Sequence, residues 1–415
     1  MKAIHIWTAI ARVVALLPAS VLAADQSSAA PTYTVVGTGQ TQCYDDRQAI
    51  PAPRPGQPFY GQDAQCPSKA PAYRDNGNGT ISDLNTGLMW IKARGEKKTW
   101  AEASAGAAAC RVGGHSDWRM PTIKEIYSLI NFNGGCTWSP ATSIPYLNTN
   151  CFDFVYGDAS KGERPIDCQD WSATRYVSTT MDGNPTIFGV NFADGRIKGY
   201  PETVRGPGGR RTHKLFVRYV RGNPSYGTND FQDNHDGTVT DRATGLMWSR
   251  ADSGQGMNWQ AALAWVQARN TEHYLGHNDW RLPNAKELQS LVDYTRAPAV
   301  TQSATLATVF ECTAIQNEGG QRDWPAFWTG TTHLDGPPDR KGRAAVCVCF
   351  GRALGYMSIP PQAPQRLLDV HGAGAQRTDF KSGDPAKLPK GLGPQGDVMR
   401  INNFVRLVRG GAGAQ

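Results

Sequence analysis

The sequence lacks the short motifs that identify several common enzyme classes. It contains no HExxH zinc motif, no phosphate-binding P-loop and no GxSxG nucleophile elbow. Its one GxGxxG match, from Gly391 to Gly396, contains Pro394, follows no predicted strand and opens no predicted helix, so it is rejected as a dinucleotide site. These absences favour a binding protein over an enzyme, and we predict no catalytic residue.

Long apolar runs are also absent after the amino terminus. Beyond residue 23 no apolar run reaches the ~18 residues that a membrane-spanning helix needs. Residues 1–23 have the features of a secretory signal: Lys2, an apolar run from Val13 to Leu17 and small residues near Ala23. No cysteine follows directly, so a lipid anchor is not expected. The sequence therefore predicts an exported protein, secreted, periplasmic or on the cell surface.

The nine cysteines include no CxxC pair, which makes zinc binding a poor interpretation. In an exported chain they favour disulfide bonds, and the odd number leaves at least one thiol free or paired between chains. The predicted pairs are Cys43 with Cys66, Cys136 with Cys151, and Cys312 with Cys347 or Cys349. We predict no metal and no cofactor.

Length and composition indicate two or three globular domains. The chain has 415 residues, 40% of them hydrophobic and 19% charged. The net charge is +7, and the predicted signal carries two of the positive charges, Lys2 and Arg12. This mild basicity says little about partners. Residues 24–70 are rich in Pro, Ala and Ser, and we interpret them as a linker or a loosely packed lead-in.

A long internal repeat is the strongest feature of the sequence. The matching segments are DNGNGTISD (75–83) with DNHDGTVTD (233–241), TGLMW (86–90) with TGLMW (244–248), DWRMPT (117–122) with DWRLPN (279–284), WSAT (171–174) with WTGT (328–331), and FVRYVRG (216–222) with FVRLVRG (404–410). They place a first domain at 71–222, a linker at 223–230, a second domain at 231–410 and a tail at 411–415.

Each repeat predicts the same order of elements: a hairpin, two helices, long loops, several short strands and a closing strand. Asn-Gly and Asp-Gly pairs mark the hairpin turns. Thr122 and Asn284 are predicted helix N-caps, because Glu125 and Glu287 follow three residues later as in a capping box. The first and last strands of each repeat are expected to pair. Residues with predicted structural roles are Trp90, Asp117, Trp118, Arg119, Trp248, Asp279, Trp280 and Arg281.

Together these motifs resemble the Lcl C-terminal domain family of exported bacterial domains, over nearly all of residues 73–222 and 231–410. The resemblance implies an α+β fold of two tandem C-type-lectin-like domains, each with two helices, short antiparallel sheets and long loops. It also implies a ligand class, because the adhesin that gives the family its name binds sulfated polysaccharides. The Glu-Pro-Asn and Gln-Pro-Asp triplets of calcium-dependent lectins are absent, so that mode of sugar binding is not expected.

Two basic loops are the predicted ligand-binding regions. Their residues are Arg205, Arg210, Arg211, His213 and Lys214 before the first closing strand, and Arg340, Lys341 and Arg343 before the strand at 346–350. Arg and Lys bind sulfate through charge-assisted hydrogen bonds, although such loops are often simply solvated. The predicted partner is an extracellular anionic polysaccharide or a cell-envelope component, and nucleic acid is not expected.

Two alternatives remain open at this point. Formylglycine-generating enzymes share the implied fold group and bind copper through cysteines, which makes Cys312, Cys347 and Cys349 candidates for a copper/thiol oxidase. A structural cell-envelope component without any small ligand is the second alternative.

Overall fold

The lead-in before the first repeat folds into a small ordered segment. The computed structural model describes Met1 and residues 30–206, 209–337, 341–359 and 362–410. Apart from Met1, the predicted signal lies outside the described residues, as does the tail. The lead-in forms a hairpin of β1 (Cys43–Tyr44) and β2 (Ala49–Ile50), followed by a 3₁₀ turn at Asp63–Gln65.

The lead-in is held by buried polar contacts to both repeats. The carboxylate of Asp63 accepts hydrogen bonds from Thr38 at 2.7 Å and from Thr331 at 2.6 Å. The amide of Gln40 donates to the carbonyls of Phe132 and Thr332. These contacts correct the interpretation of this segment as loosely packed. Composition alone did not reveal them, because the partners lie far away in sequence.

The described residues of the first repeat form nine strands and two α-helices. They are β3 (Tyr73–Asp75), β4 (Thr80–Asp83), β5 (Leu88–Ile91), α1 (Trp100–Ala109), α2 (Ile123–Tyr127), β6 (Asp170–Thr180), β7 (Asn184–Asn191), β8 (Arg196–Pro201), β9 (Thr203–Gly206), β10 (Gly209–Thr212) and β11 (Val220–Gly222). Sequence reasoning placed both helices correctly, whereas the closing strand predicted over residues 216–222 is confined to Val220–Gly222.

The second repeat follows the same order with additional short strands. Its elements are β12 (Phe231–Asp233), β13 (Thr238–Asp241), β14 (Leu246–Ser249), α3 (Trp259–Thr271), α4 (Ala285–Ser290), α5 (Pro298–Thr301), β15 (Ile315–Gln316), β16 (Arg322–Asp323), β17 (Ala326–His333), β18 (Ala344–Cys349), β19 (Leu354–Met357), β20 (Arg366–Asp369), β21 (Gln376–Phe380) and β22 (Val408–Gly410). No helix in the described part of the chain has the length and apolar character needed to cross a membrane.

Each repeat builds one four-stranded and one three-stranded antiparallel sheet, so the fold is α+β. The four-stranded sheets have the orders β11-β5-β4-β3 and β12-β13-β14-β22, and the three-stranded sheets are β6-β7-β8 and β17-β18-β21. The closing strands place Val220 opposite Trp90 and Val408 opposite Trp248. The expected pairing of first and last strands is wrong, because these strands occupy opposite edges of their sheet.

The predicted helix starts are confirmed in both repeats. The Thr122 side chain accepts a hydrogen bond from the backbone N–H of Glu125, and the Glu125 carboxylate accepts one from the N–H of Thr122. Asn284 forms the same capping box with Glu287. Each of these glutamates also pairs with the preceding DWR arginine, at 2.5 Å for Arg119 and at 2.6 Å for Arg281. These contacts join residues at most six positions apart, so the local sequence predicts the turn.

The DWR segments are also fixed from the side of the closing strands. Asp117 pairs with Arg221 at 2.7 Å and Asp279 pairs with Arg409 at 2.7 Å. The indoles of Trp118 and Trp280 are buried, and each donates to a carbonyl of the turn that precedes it. Trp90 and Trp248 are fully buried in the matching sheets. All eight predicted structural residues therefore hold matching positions in the two repeats.

The two repeats meet through a reciprocal exchange of lysines. Lys124 at the start of α2 donates to the carbonyl of Ser290 at 2.7 Å, and Lys286 at the start of α4 donates to the carbonyl of Ser128 at 2.7 Å. Lys286 also donates to Gly37 of the lead-in. Such mutual contacts between equivalent residues are typical of a two-fold interface. Residues from Pro31 onwards form one compact unit, so independent folding of each repeat remains a prediction.

The predicted disulfide bonds are not formed in this structure. All nine cysteines lie within the described residues, and all nine are free thiols. Cys136 packs with Cys168 in a small apolar cluster, whereas Cys151 packs against the main core. Cys312 packs on a different cluster from Cys347. The spacing of the cysteines along the sequence did not predict where they lie. The two members of each of these predicted pairs pack in different parts of the core.

Candidate functional site

The first basic loop is a hairpin that extends from the three-stranded sheet of the first repeat. Strands β9 and β10 form a two-stranded sheet of their own, in which Arg205 lies directly opposite Arg210 and Arg211 lies opposite Val204. Arg211 and Lys214 are exposed. Three arginine positions and one lysine are therefore brought together on one narrow element, which we call the basic hairpin.

His213 anchors the base of the basic hairpin and adds no positive charge to it. Its backbone N–H donates to the carbonyl of Glu202, and its ring lies against the rings of Trp171 and Tyr200. Burial lowers the pKa of His213, so the imidazole is neutral at neutral pH. Its contacts indicate that it positions the hairpin rather than contacting a ligand.

The second basic loop belongs to a different surface. Arg340 lies outside the described residues, and Lys341 is partly exposed. Arg343 is exposed, and its guanidinium lies 4.2 Å from the centre of the Phe380 ring. Arg343 also borders a cavity of about 450 Å³ between the two repeats.

This cavity, which we call the inter-repeat cleft, lies where β8 of the first repeat meets β21 of the second. Arg196 of β8 donates to the hydroxyl of Thr378 in β21 at 2.9 Å, and the backbone N–H of Gly199 donates to the carbonyl of His371. Both strands contribute charged side chains to the cleft wall. Its volume falls within the range of ~300–1,000 Å³ typical of small-molecule sites, which often lie at domain interfaces.

One group of charges on the cleft wall comes mainly from the first repeat. Asp194 pairs with Lys198 at 2.5 Å and lies 3.6 Å from Arg196. Arg196 also pairs with Asp335 of the second repeat at 2.5 Å. Although burial alone would raise the pKa of Asp194, Lys198 and Arg196 hold it below its usual value. Asp194 is therefore ionised at neutral pH.

The second group of charges comes from the second repeat. Asp397 accepts hydrogen bonds from Arg377 and from the Nε2 atom of His371, the latter at 2.8 Å. Burial lowers the pKa of His371 to about 4, so the ring is neutral. Because Nε2 carries the proton donated to Asp397, Nδ1 is left as an acceptor. Asp397 is carried by a tight turn closed by backbone hydrogen bonds with Leu392, and it directly follows the rejected GxGxxG match of residues 391–396.

An exposed tryptophan borders the cleft. Trp138 is 54% exposed, and its backbone has a φ of 65°. A bulky residue rarely adopts this left-handed conformation, and such strain is concentrated at functional sites. Trp138 therefore presents an aromatic surface beside the charged groups.

The cysteines of the copper/thiol oxidase alternative do not form one site. Cys347 and Cys349 both border the cleft, whereas Cys312 packs on the other core cluster. Burial raises the pKa of Cys349 and of Cys312 to about 12 and that of Cys347 well above its ordinary value, so all three are protonated at neutral pH. Copper binds the thiolate form. Across the described residues no three His, Cys, Asp or Glu side chains are grouped to hold a metal ion.

Sequence reasoning found the basic hairpin but missed the cleft. Its wall combines side chains that lie more than a hundred residues apart, and no local motif connects them. The one available signal is length, since the second repeat has a much longer segment between Phe350 and its closing strand than the first has after Phe192. That additional segment supplies His371, Arg377 and Asp397.

Comparison with known proteins identifies one family. The sequence profile of the Lcl C-terminal domain matches residues 79–221 and again residues 237–363, so the chain carries two tandem copies. A search of curated proteins and a search of solved structures each gave no match.

Proposed function

This chain belongs to the Lcl C-terminal domain family, and from that premise we propose that it is an exported binding protein for a sulfated polysaccharide. We also propose that each repeat is C-type-lectin-like, which its helices, antiparallel sheets and long connections support. The predicted secretory signal supports export to the periplasm, the cell surface or the medium.

The observation that carries this proposal is the register of the basic hairpin. Arg205 and Arg210 are directly opposite in an isolated two-stranded sheet, and like charges in that position destabilise the pairing. A sulfate group offsets like charges of this kind, because its oxygens accept charge-assisted hydrogen bonds from guanidinium groups. Arg211 and Lys214 are exposed and add positive charge to the same element.

Heparin chromatography tests the proposal. The variant Arg210→Ala with Arg211→Ala is expected to elute from a heparin column at clearly lower salt than the wild type. The reason is that exposed ion pairs with a polymer are screened by salt, and the variant has lost two of them. The measurement is the sodium chloride concentration at the elution peak.

A matched variant separates site binding from overall charge. The variant Arg47→Ala with Arg74→Ala also removes two positive charges, but from exposed positions on other elements. It is expected to elute close to the wild type. Equal shifts of the two double variants would show that heparin responds only to net charge, and the proposal would then fail.

A further inference from the structure

The edge strands β6 and β17 present equivalent positions in the two repeats. The hydroxyl oxygen of Thr174 accepts a hydrogen bond from the first backbone N–H of α2 at 3.0 Å, and that of Thr331 accepts one from the first N–H of α4 at 3.0 Å. The indoles of Trp100 and Trp259 each donate to the strand carbonyl two residues before these threonines. A contact made in one repeat therefore identifies the matching place in the other.

In the second repeat the lead-in covers this strand, and all eight residues of β17 are buried. The hydroxyl of Thr331 donates to the carboxylate of Asp63 at 2.6 Å, and the side-chain amide of Gln40 bonds to the backbone N–H and carbonyl of Thr332. Although burial raises the pKa of Asp63 to about 6, the nearby Arg281 acts in the opposite direction. This position therefore accepts a peptide segment that carries a carboxylate.

The matching positions of the first repeat are uncovered. Ala173 and Arg175 of β6 are exposed, and Thr174 is partly exposed. Trp100 is also partly exposed, whereas Trp259 is fully buried. In the described structure the hydroxyl of Thr174 donates to no acceptor. We call Trp100, Ala173, Thr174 and Arg175 the uncovered face.

The uncovered face has accessible positive charge beside it. Arg119 lies in the place of Arg281, and its side chain is 35% exposed against 14% for Arg281. The guanidinium of Arg175 lies 4.0 Å from the centre of the Trp100 ring. Arg175 uses only its Nη2 atom for Glu202, so its other nitrogens are left as donors. Arginine donors beside a hydroxyl group favour a carboxylate.

We propose that the uncovered face binds an acidic peptide segment of a partner protein. An aspartate of that segment takes the place that Asp63 has in the second repeat. Its carboxylate accepts hydrogen bonds from the Thr174 hydroxyl and the Arg175 guanidinium, and the rest of the segment covers Trp100. This site lies on the first repeat alone and is separate from the ligand proposed for the basic hairpin.

One difference between the repeats separates such a partner from the lead-in of a second copy. A Cβ atom added to Gly330 would lie 3.0 Å from the backbone nitrogen of Asp63, closer than most real contacts of a Cβ atom. Ala173 supplies that methyl group in the first repeat, where WSAT matches WTGT. A lead-in placed here is therefore held away from the strand, so the face fits a segment with a different backbone path.

Fluorescence anisotropy with a labelled peptide and the full chain tests this inference. The probe has the sequence of residues 57–69 with Cys66→Ser, because the tethered lead-in already occupies the matching place in the second repeat. Ala173→Gly is expected to bind the probe at least about fivefold more tightly than the wild type, since the obstructing methyl group is gone. A probe that also carries Asp63→Asn is expected to bind about tenfold more weakly.

Further variants, made in the Ala173→Gly chain, connect binding to the uncovered face. Thr174→Val is expected to weaken binding about tenfold and Arg175→Ala severalfold, whereas Thr174→Ser keeps the hydroxyl and should bind nearly as its parent does. Arg366→Ala is the matched control with unchanged binding. Arg366 and Arg175 are both 48% exposed, and each pairs with one carboxylate. Melting temperatures verify that each variant is folded.

The outcomes decide for or against the proposal. Binding that requires the aspartate of the probe and the hydroxyl of Thr174 supports it. It is overturned if the probe does not bind Ala173→Gly, or if folded Thr174→Val and Arg175→Ala variants both bind as their parent does. Loss of heparin retention in Arg175→Ala with unchanged probe binding would assign the face to a polysaccharide and also overturn it. Arg210→Ala with Arg211→Ala should keep probe binding, so the two proposals fail separately.

Discussion

Replacing Arg406 with methionine is expected to lower the free energy of unfolding by about 3–5 kcal/mol. The side chain is 1% exposed, and its guanidinium donates to the carbonyls of Ser249, Arg250 and Glu311. It thereby joins the segment before β22 to the end of β14 and to the loop at Glu311. Methionine fills similar space but removes all three hydrogen bonds, of which the one to Ser249 is fully buried, and hydrogen bonds from a charged group contribute roughly 1.5–3 kcal/mol each. The gain from no longer burying a charge offsets only part of this loss.

The measurement is chemical denaturation, with a control in the same segment of the chain. Arg409 lies three residues further on, where it is partly exposed and pairs with Asp279. Arg409→Met is expected to cost about 1 kcal/mol or less, because exposed ion pairs contribute little. Arg218 binds three carbonyls in the first repeat in the same way, so Arg218→Met should resemble Arg406→Met. Equal, small losses for Arg406 and Arg409 would contradict this interpretation of the closing strands.

The second large effect concerns Lys286 and the dependence of stability on pH. Burial lowers the pKa of Lys286 to about 7, whereas an unfolded lysine titrates near ~10.4. Between pH 7 and the unfolded pKa, Lys286 binds more protons in the unfolded state than in the folded state. Its contribution to the free energy of unfolding is therefore greatest above the unfolded pKa and is lost as the pH falls towards 7. From pH 7 to pH 9 the free energy of unfolding of the wild type should therefore rise by about 2 kcal/mol relative to that of Lys286→Met.

Denaturation curves at pH 7, 8 and 9 measure this difference directly. Lys69→Met is the matched control, because Lys69 is exposed and the variant should follow the wild type at every pH. Burial also lowers the pKa of Lys124, to about 8, so Lys124→Met should show a similar but smaller change. A constant gap between the wild type and Lys286→Met across this range would mean that the lysine exchange between the repeats is not buried in solution.

Local patterns predicted what short stretches of chain determine. The capping boxes at Thr122 and Asn284 were predicted, and the pairing of Arg119 with Glu125, which the structure adds, joins residues only six positions apart. The duplication itself was readable because the matching motifs recur in the same order. The basic hairpin was likewise identified from a short stretch of sequence, since Arg210 and Arg211 are adjacent.

What the sequence did not reveal depends on contacts between distant segments. Asp63 of the lead-in bonds to Thr331, and Arg196 bonds to Asp335 across the repeat interface. Neither the hydrophobic periodicity nor the spacing of motifs in the sequence indicates such pairs. The closing strands were predicted as strands, but they lie beside β5 and β14. The alternation of apolar and polar residues along a strand does not determine its neighbours in the sheet. The cysteine placement was missed for a similar reason, since core packing separates residues that are close in sequence.

The most direct test of the proposed function compares heparin with chemically desulfated heparin in titrations of the full chain at several salt concentrations. We predict binding that requires sulfate and weakens steeply with salt. We also predict a log–log salt dependence about one to two units shallower in Arg210→Ala with Arg211→Ala than in the wild type. Equal affinity for the two polymers, or the same salt dependence in the wild type and this variant, would contradict polysaccharide recognition by the basic hairpin.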